Sequence, residues 1–233
     1  MQQKTALILG ASGLTGRHCL NILLNSSYYS KVIVLVRRRL DIADPRVEQA
    51  VIDFDYTANM EKYYDGVDDV FSCIGTNLKN AGSPAALRRI EFHIPTEAAN
   101  IASEHGVKRF LAISTKGADN HSSDLYLRVK GEMEKGLEQF SFTSLHIFRP
   151  SEVSYEDNIV VNRDRIMSRF FNSGSRGNTN RNSIGAETLA KAMVNTAQQD
   201  KDGNFYYSTG QIKEISEVKY SVAQAMDSQL AEM

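Results

Sequence analysis

Apolar residues in this chain come in short, nearly unbroken runs separated by longer stretches with a helical repeat. The runs "TALILG" (5–10), "KVIVLV" (31–36), "DDVFSCIG" (68–75), "KRFLAIS" (108–114) and "SLHIFRP" (144–150) are continuous in apolarity. That pattern predicts parallel strands buried on both faces. "VEQAVID" (47–53) and Gly203–Thr209 are further strand candidates. Between them, helices are expected over Thr15–Leu24, Ser83–Glu104, Asp124–Gln139 and Ala186–Gln198. In the second, Leu87, Ile90, Ile94, Ala98 and Ile101 recur at spacings of three and four. Pro84 suits its first turn, whereas Pro95 falls in its interior and predicts a kink or break. After Pro150 the pattern loosens, and "NSGSRGNTNRNS" (172–183) reads as a polar loop. Strand–helix–strand repetition of this kind predicts an α/β fold, a doubly wound parallel sheet with helices on both faces. One domain over residues 1–233 is expected, with a small substrate-side portion at about 151–185.

The first strand runs into "LGASGLTG", which places Gly10, Gly13 and Gly16 three residues apart where a helix opens. Glycine suits that turn because a pyrophosphate must approach the backbone and the helix must pack tightly on the sheet. Backbone N–H groups from Ser12 through Leu14 to Thr15 would then face the phosphates, with the positive end of the helix dipole behind them. The bland alternative is an ordinary strand-to-helix turn, but the flanking strand and helix favour a Rossmann-like dinucleotide site. The second strand ends in Arg37, Arg38 and Arg39 with no carboxylate before Asp41. NAD binders place an acid there for the ribose, whereas guanidinium groups suit a 2′-phosphate, so NADP(H) is expected over NAD(H). Three segments fall at carboxyl ends of strands, where such folds bind ligand. Asp53 and Phe54 could flank an adenine, although Phe54 could equally be core. Gly75, after Ile74, leaves room beside the cofactor, and "FRPSEV" with Pro150 and Val153 would border the nicotinamide.

Composition narrows the partners. A net charge of -1 and a pI near 6.5 give no global basicity for nucleic acid or an anionic membrane surface. No apolar run approaches the roughly 20 residues of a membrane span. Cys19 and Cys73 both sit in apolar runs and read as reduced, buried thiols. With only a few residues ahead of the first strand, the chain is expected to be cytoplasmic. A small-molecule substrate is expected, no metal site is read from the sequence, and a homodimer is compatible with the fold. Arg163, Arg165, Arg169, Arg176 and Arg181 could meet an anionic substrate, but a solvated loop accounts for them as well.

"SDLYLRVKGEME" sets Tyr126 and Lys130 four residues apart, on one helix face with Cβ atoms roughly 5–6 Å apart. Ser114 closes the strand before it. A free tyrosine ionises near pH 10, too high for easy proton exchange at neutrality. A neighbouring ammonium is expected to lower that value and to bond the nicotinamide ribose as well. Ser114 would orient a carbonyl while Tyr126 donates the proton. Tyrosine and lysine at this spacing often mean only a solvated helix surface; the glycine loop and the strand-end serine argue for chemistry.

Together "GASGLTG", "RRR", "DFD", "CIGT", "STKGAD", "YLRVKGE" and "FRP" resemble the atypical short-chain dehydrogenase/reductase superfamily, in particular the Tat-interacting-protein-type oxidoreductases and their bacterial relatives. The match runs from about Lys4 to Val153. The resemblance implies NADP(H) held by Ser12, Gly13, Leu14, Thr15, Arg37, Arg38, Ile74, Gly75, Tyr126 and Lys130, with Tyr126 catalytic. Relatives commonly carry "FRPG", where Ser151 stands here. The expected activity is NADPH-dependent reduction of a small carbonyl or quinone-like compound. The rival reading is a non-catalytic NADP(H)-binding redox sensor. A nucleotide-sugar epimerase fits less well, because the stretch after Pro150 is short for a large substrate lobe.

Overall fold

The computed structural model describes residues 4–154 and 183–218. Six strands appear where the apolar runs predicted them: β1 (Lys4–Leu9), β2 (Tyr29–Val36), β3 (Val47–Val51), β4 (Asp69–Ser72), β5 (Arg109–Ile113) and β6 (Ser144–Arg149). Two short strands, β7 (Val153–Ser154) and β8 (Ile184–Gly185), pair with each other outside the main sheet, and β9 (Gly203–Ser208) returns to it. The main sheet has the order β3-β2-β1-β4-β5-β6-β9 and every pairing is parallel. The chain leaves β1 in one direction for β2 and β3, then restarts on its other side with β4. The carboxyl ends of β1 and β4 therefore flank the switch point where a doubly wound sheet opens its crevice.

Alternate residues of each strand feed two cores. Ala6, Ile8, Val32, Val34, Val36 and Leu111 face α1 (Leu14–Asn25), α6 (Ala186–Ala197) and α7 (Thr209–Glu217). Leu7, Leu9, Ile33, Leu35, Phe110 and Ala112 face α4 (Ile94–Glu104), α5 (Leu125–Leu137) and a 3-10 helix at Thr57–Tyr63. Period-two burial on both faces explains why these strands read as unbroken apolar runs. Cys19 and Cys73 are buried free thiols.

Three departures from the sequence pattern are informative. The run "DDVFSCIG" leaves the sheet after Ser72, which releases residues 73–75 to the crevice. The helix expected over 83–104 keeps helical backbone throughout but is not uniform: α3 (Pro84–Arg88) passes into a π turn at Arg89–His93 and then into α4. Pro95 has no N–H for the carbonyl of residue 91, and the coil widens in front of it instead of breaking. The four-residue α2 (Leu78–Ala81) and α7 had no predicted counterpart. The five loop arginines from Arg163 to Arg181 lie outside the described residues, as does most of the substrate-side portion.

Candidate functional site

The glycine loop lies against the carboxyl end of β4. Gly10 has φ +81°, a conformation that L side chains rarely adopt, and a Cβ there would stand 2.8 Å from the Cys73 carbonyl oxygen. A Cβ on Gly16 would stand 2.1 Å from the Gly10 carbonyl oxygen, so the helix cannot seat on the turn with any larger residue. Gly13 N–H donates to Gly10 O at 2.9 Å, and Gly13 caps α1. Ser12 is exposed, Leu14 is half-buried and Thr15 is buried at the helix mouth. The turn thus presents bare backbone at the positive end of a twelve-residue helix, a cradle that fits a pyrophosphate.

At the neighbouring strand end, Arg37, Arg38 and Arg39 follow β2 fully exposed, and no carboxylate stands among them. The Ile52 N–H donates to Val36 O, which brings the turn at Asp53 beside them. Asp53 spends one carboxylate oxygen on the Asp55 N–H at 3.0 Å. The Phe54 ring belongs to the core on the α4 side, in agreement with the structural alternative for it, and its carbonyl accepts a bond from Arg89 of the π turn. Ile74 backbone abuts Gly10, while Gly75 is exposed and a Cβ there would meet only Glu91 Oε1 at 3.7 Å.

Two of the proton-transfer candidates, Ser114 and Lys130, meet one strand further along. Asp124 caps α5 through the Leu127 N–H at 2.9 Å. Gly131 lets that helix press on the preceding loop, since a Cβ there would lie 2.2 Å from Asn120 N. Arg149 of β6 grips Glu134 of α5, with Nε–Oε1 at 2.9 Å. These contacts seat α5 so that Lys130 reaches the end of β5. Lys130 is buried to 2% exposure; its Nζ donates to Ile113 O at 2.7 Å and to Glu91 Oε2 at 2.8 Å. Ser114 is the next residue after Ile113, is buried, and its Oγ has no partner among the described residues. Its N–H is tied to Phe148 O at 2.7 Å, and Lys116 N–H to Pro150 O at 2.8 Å, so "FRPS" lies beside the serine loop. Ser151 donates its N–H to Thr209 Oγ1 at 2.9 Å. Val153 packs toward the core on the α1 side.

The NAD(P)H-binding family profile matches residues 10–200, nearly the whole of this architecture. The chain belongs to the NAD(P)H-binding family. It is 33% identical over 198 residues to protein HTATIP2 of Rattus norvegicus, covering 84% of this chain and 81% of that protein. It is also 33% identical over 148 residues to the protein FMP52-1, mitochondrial, of Scheffersomyces stipitis, with 63% of this chain and 66% of that protein covered. Among solved structures, MoeE5 in complex with UDP-glucose and NAD superposes with a TM-score of 0.67 at 17% identity, over 88% of this chain and 75% of that one. That likeness shows the same Rossmann-like, doubly wound fold. Among the described residues, no helix is long and apolar enough to cross a membrane.

As a member of the NAD(P)H-binding family, the protein holds its tyrosine in an unexpected electrostatic setting. Burial pushes the Tyr126 phenol above its ordinary range and the Glu91 carboxylate adds to this; Lys130 opposes both without overcoming them. Lys130 does lower the value, as the sequence pattern predicts, but burial, with Glu91 adding to it, outweighs the lysine and leaves the phenol above its ordinary range. Burial pulls the Lys130 ammonium down, but Glu91, Tyr126 and Glu134 outweigh it and hold the group above its usual value. Glu91 sits at the centre of the π turn with no solvent exposure, and its other oxygen accepts the Thr76 N–H. The only hint in the sequence is a carboxylate between Leu87 and Ile94, on the stripe those residues bury.

Proposed function

We propose that this protein is an NADPH-dependent reductase of a small carbonyl or quinone-like compound. The observation that supports the reading is Lys130 Nζ on Ile113 O at 2.7 Å, next to the buried Ser114, with Tyr126 one helical turn before Lys130 and within its electrostatic reach. The bare backbone from Gly10 to Gly16 would hold the pyrophosphate, and Arg37 with Arg38 the 2′-phosphate. Ile74, Gly75, Pro150 and Val153 border the opposite end. NADPH bound in this way supplies the hydride.

The chain's own residues handle the proton. Ser114 Oγ, buried and unspent, donates to the substrate's carbonyl oxygen and fixes its position. Tyr126 transfers its phenolic proton to that oxygen as the carbon is reduced. The tyrosinate left behind faces the Lys130 ammonium, which stabilises it until solvent returns the proton. Because burial and Glu91 keep the phenol protonated in the resting site, Tyr126 starts as an acid, as reduction requires.

The test is a titration with NADPH and NADH followed by turnover on a panel of aldehydes, ketones and quinones, for the native chain and for Tyr126→Phe. The variant is expected to bind NADPH within a few-fold of the native protein and to lose about 100-fold or more in kcat. Unchanged turnover in Tyr126→Phe would remove the tyrosine from the mechanism. Tight NADPH binding with no turnover of any compound would favour the redox-sensor reading.

A further inference from the structure

We propose that Glu91 is a positioning residue of this site: its carboxylate keeps the buried Lys130 a charged ammonium and ties it to the loop after β4 that faces the cofactor cradle. The geometry joins four elements through one side chain. One Glu91 oxygen accepts the Lys130 ammonium at 2.8 Å, and the other accepts the backbone N–H of Thr76. Two residues before Thr76, the backbone of Ile74 abuts Gly10, so the same segment touches the glycine turn. Lys130 in turn reaches Ile113 O at 2.7 Å, beside Ser114. Glu91 therefore links the cradle, the β4 loop, the serine strand and the helix of the tyrosine.

The charge argument is equally direct. An ammonium exposed to 2% cannot stay protonated against an apolar surround unless an acid compensates it. The ionisable groups facing Lys130 are Glu91 from the π turn, with Tyr126 and Glu134 from its own helix. Glu134 is already engaged by Arg149 of β6. Glu91 is left as the acid in direct contact. Without it only Tyr126 and Glu134 oppose the burial cost, so the lysine gives up its proton at lower pH and stabilises a tyrosinate less. The π turn gives the arrangement its reach, since the widened coil in front of Pro95 carries residue 91 at its centre.

The decisive experiment follows the lysine side-chain nitrogen by NMR in protein labelled with ¹⁵N-lysine, the Lys130 signal being assigned by its loss in Lys130→Met. In the native chain that signal is expected to remain an ammonium through pH 10; in Glu91→Gln its midpoint is expected to fall by about two pH units or more. Glu91→Asp, which keeps the charge, is expected to restore most of the shift. A midpoint in Glu91→Gln equal to the native one overturns the proposal. Because Glu91→Gln strands a buried charge and can fail to fold, Lys130→Met is also compared with the Glu91→Gln/Lys130→Met double variant, which buries neither charge. Adding Glu91→Gln to that background is expected to change kcat by less than about threefold; a further tenfold loss would overturn the assignment. The turnover arm rests on the reductase reading, whereas the lysine titration does not. A protein that binds NADPH but reduces nothing fails that reading and leaves the titration to decide this one.

Discussion

Arg37 stands at the end of β2 with its guanidinium in solvent, and what it does for the cofactor is a question about one charge. NADPH carries a 2′-phosphate that NADH lacks, and a charge-assisted hydrogen bond contributes about 1.5–3 kcal/mol. Arg37→Ala is expected to weaken NADPH by roughly ten-fold or more while changing NADH by less than about two-fold. Fluorescence titration of both cofactors checks it; equal losses would remove the arginine from the 2′-phosphate. Candidates of this kind stand out in a sequence because their type and their place at a strand end both carry meaning, and Ser114, Tyr126 and Lys130 stand out as candidates for the same reason. Glu91 does not: in a helical stripe, an acid beside Ile90 reads as a solvated position, and nothing local says that a lysine 39 positions away will reach it. Phe54 was ambiguous for the opposite reason, since an aromatic next to a strand end serves a core as readily as a base, and here it serves the core.

Among the elements, α5 is the one on whose placement the proposed chemistry depends. Its close approach to the loop at Asp119 and Asn120 depends on the missing side chain of Gly131. Gly131→Ala would gain helix propensity of about 1 kcal/mol, yet it forces a Cβ to 2.2 Å from a backbone nitrogen that cannot swing aside. The clash is expected to win, with a net loss of about 1–3 kcal/mol in thermal unfolding and a larger fractional loss in kcat than in NADPH affinity. A variant as stable and as active as the native chain would show that the helix can shift without cost. Element existence was readable along the sheet because apolar runs report burial on both faces. What escaped was local detail governed by single groups. A proline without an N–H widened a helix where a kink was expected. The helix over 209–217 was missed because Lys213, Glu214 and Glu217 dominate its sequence, and Ile212 is its one fully buried residue among those described.

For the molecule as a whole, a buried polar cluster and the proposed site lie at opposite ends of the sheet. At the amino ends of β2, β4 and β5, Tyr29 donates to Asp69 at 2.7 Å and Arg109 pairs with Asp69 at 3.2 Å, a buried cluster remote from the crevice. His146, on β6, is buried against Phe205 and Tyr207. Burial, with Arg109 and Lys201 adding to it, lowers its pKa from 6.5 to about 4. The folded state thus resists a proton that the unfolded chain accepts, so stability is full above pH 6.5 and drains away as pH falls toward 4. The loss from this one group is at most about 3 kcal/mol. His146→Phe, which keeps an aromatic ring in the stack, is expected to flatten that part of the melting-temperature profile; an unchanged slope would place the acid sensitivity elsewhere. The family profile spans both ends of the sheet.

The widened coil ahead of Pro95 has one more consequence. A helix advances about 100° per residue, so a coil that carries one surplus residue per turn sets the angular phase of everything on either side of it. Removing Phe92 while replacing Pro95 by alanine would let the segment close into ordinary α-helix. Relative to α4, the stretch that carries Leu87 and Glu91 would turn by about 100°, taking the carboxylate away from the ammonium it now neutralises. That deletion and substitution together would then disarm the proposed acid–base pair while sparing the sheet that carries it.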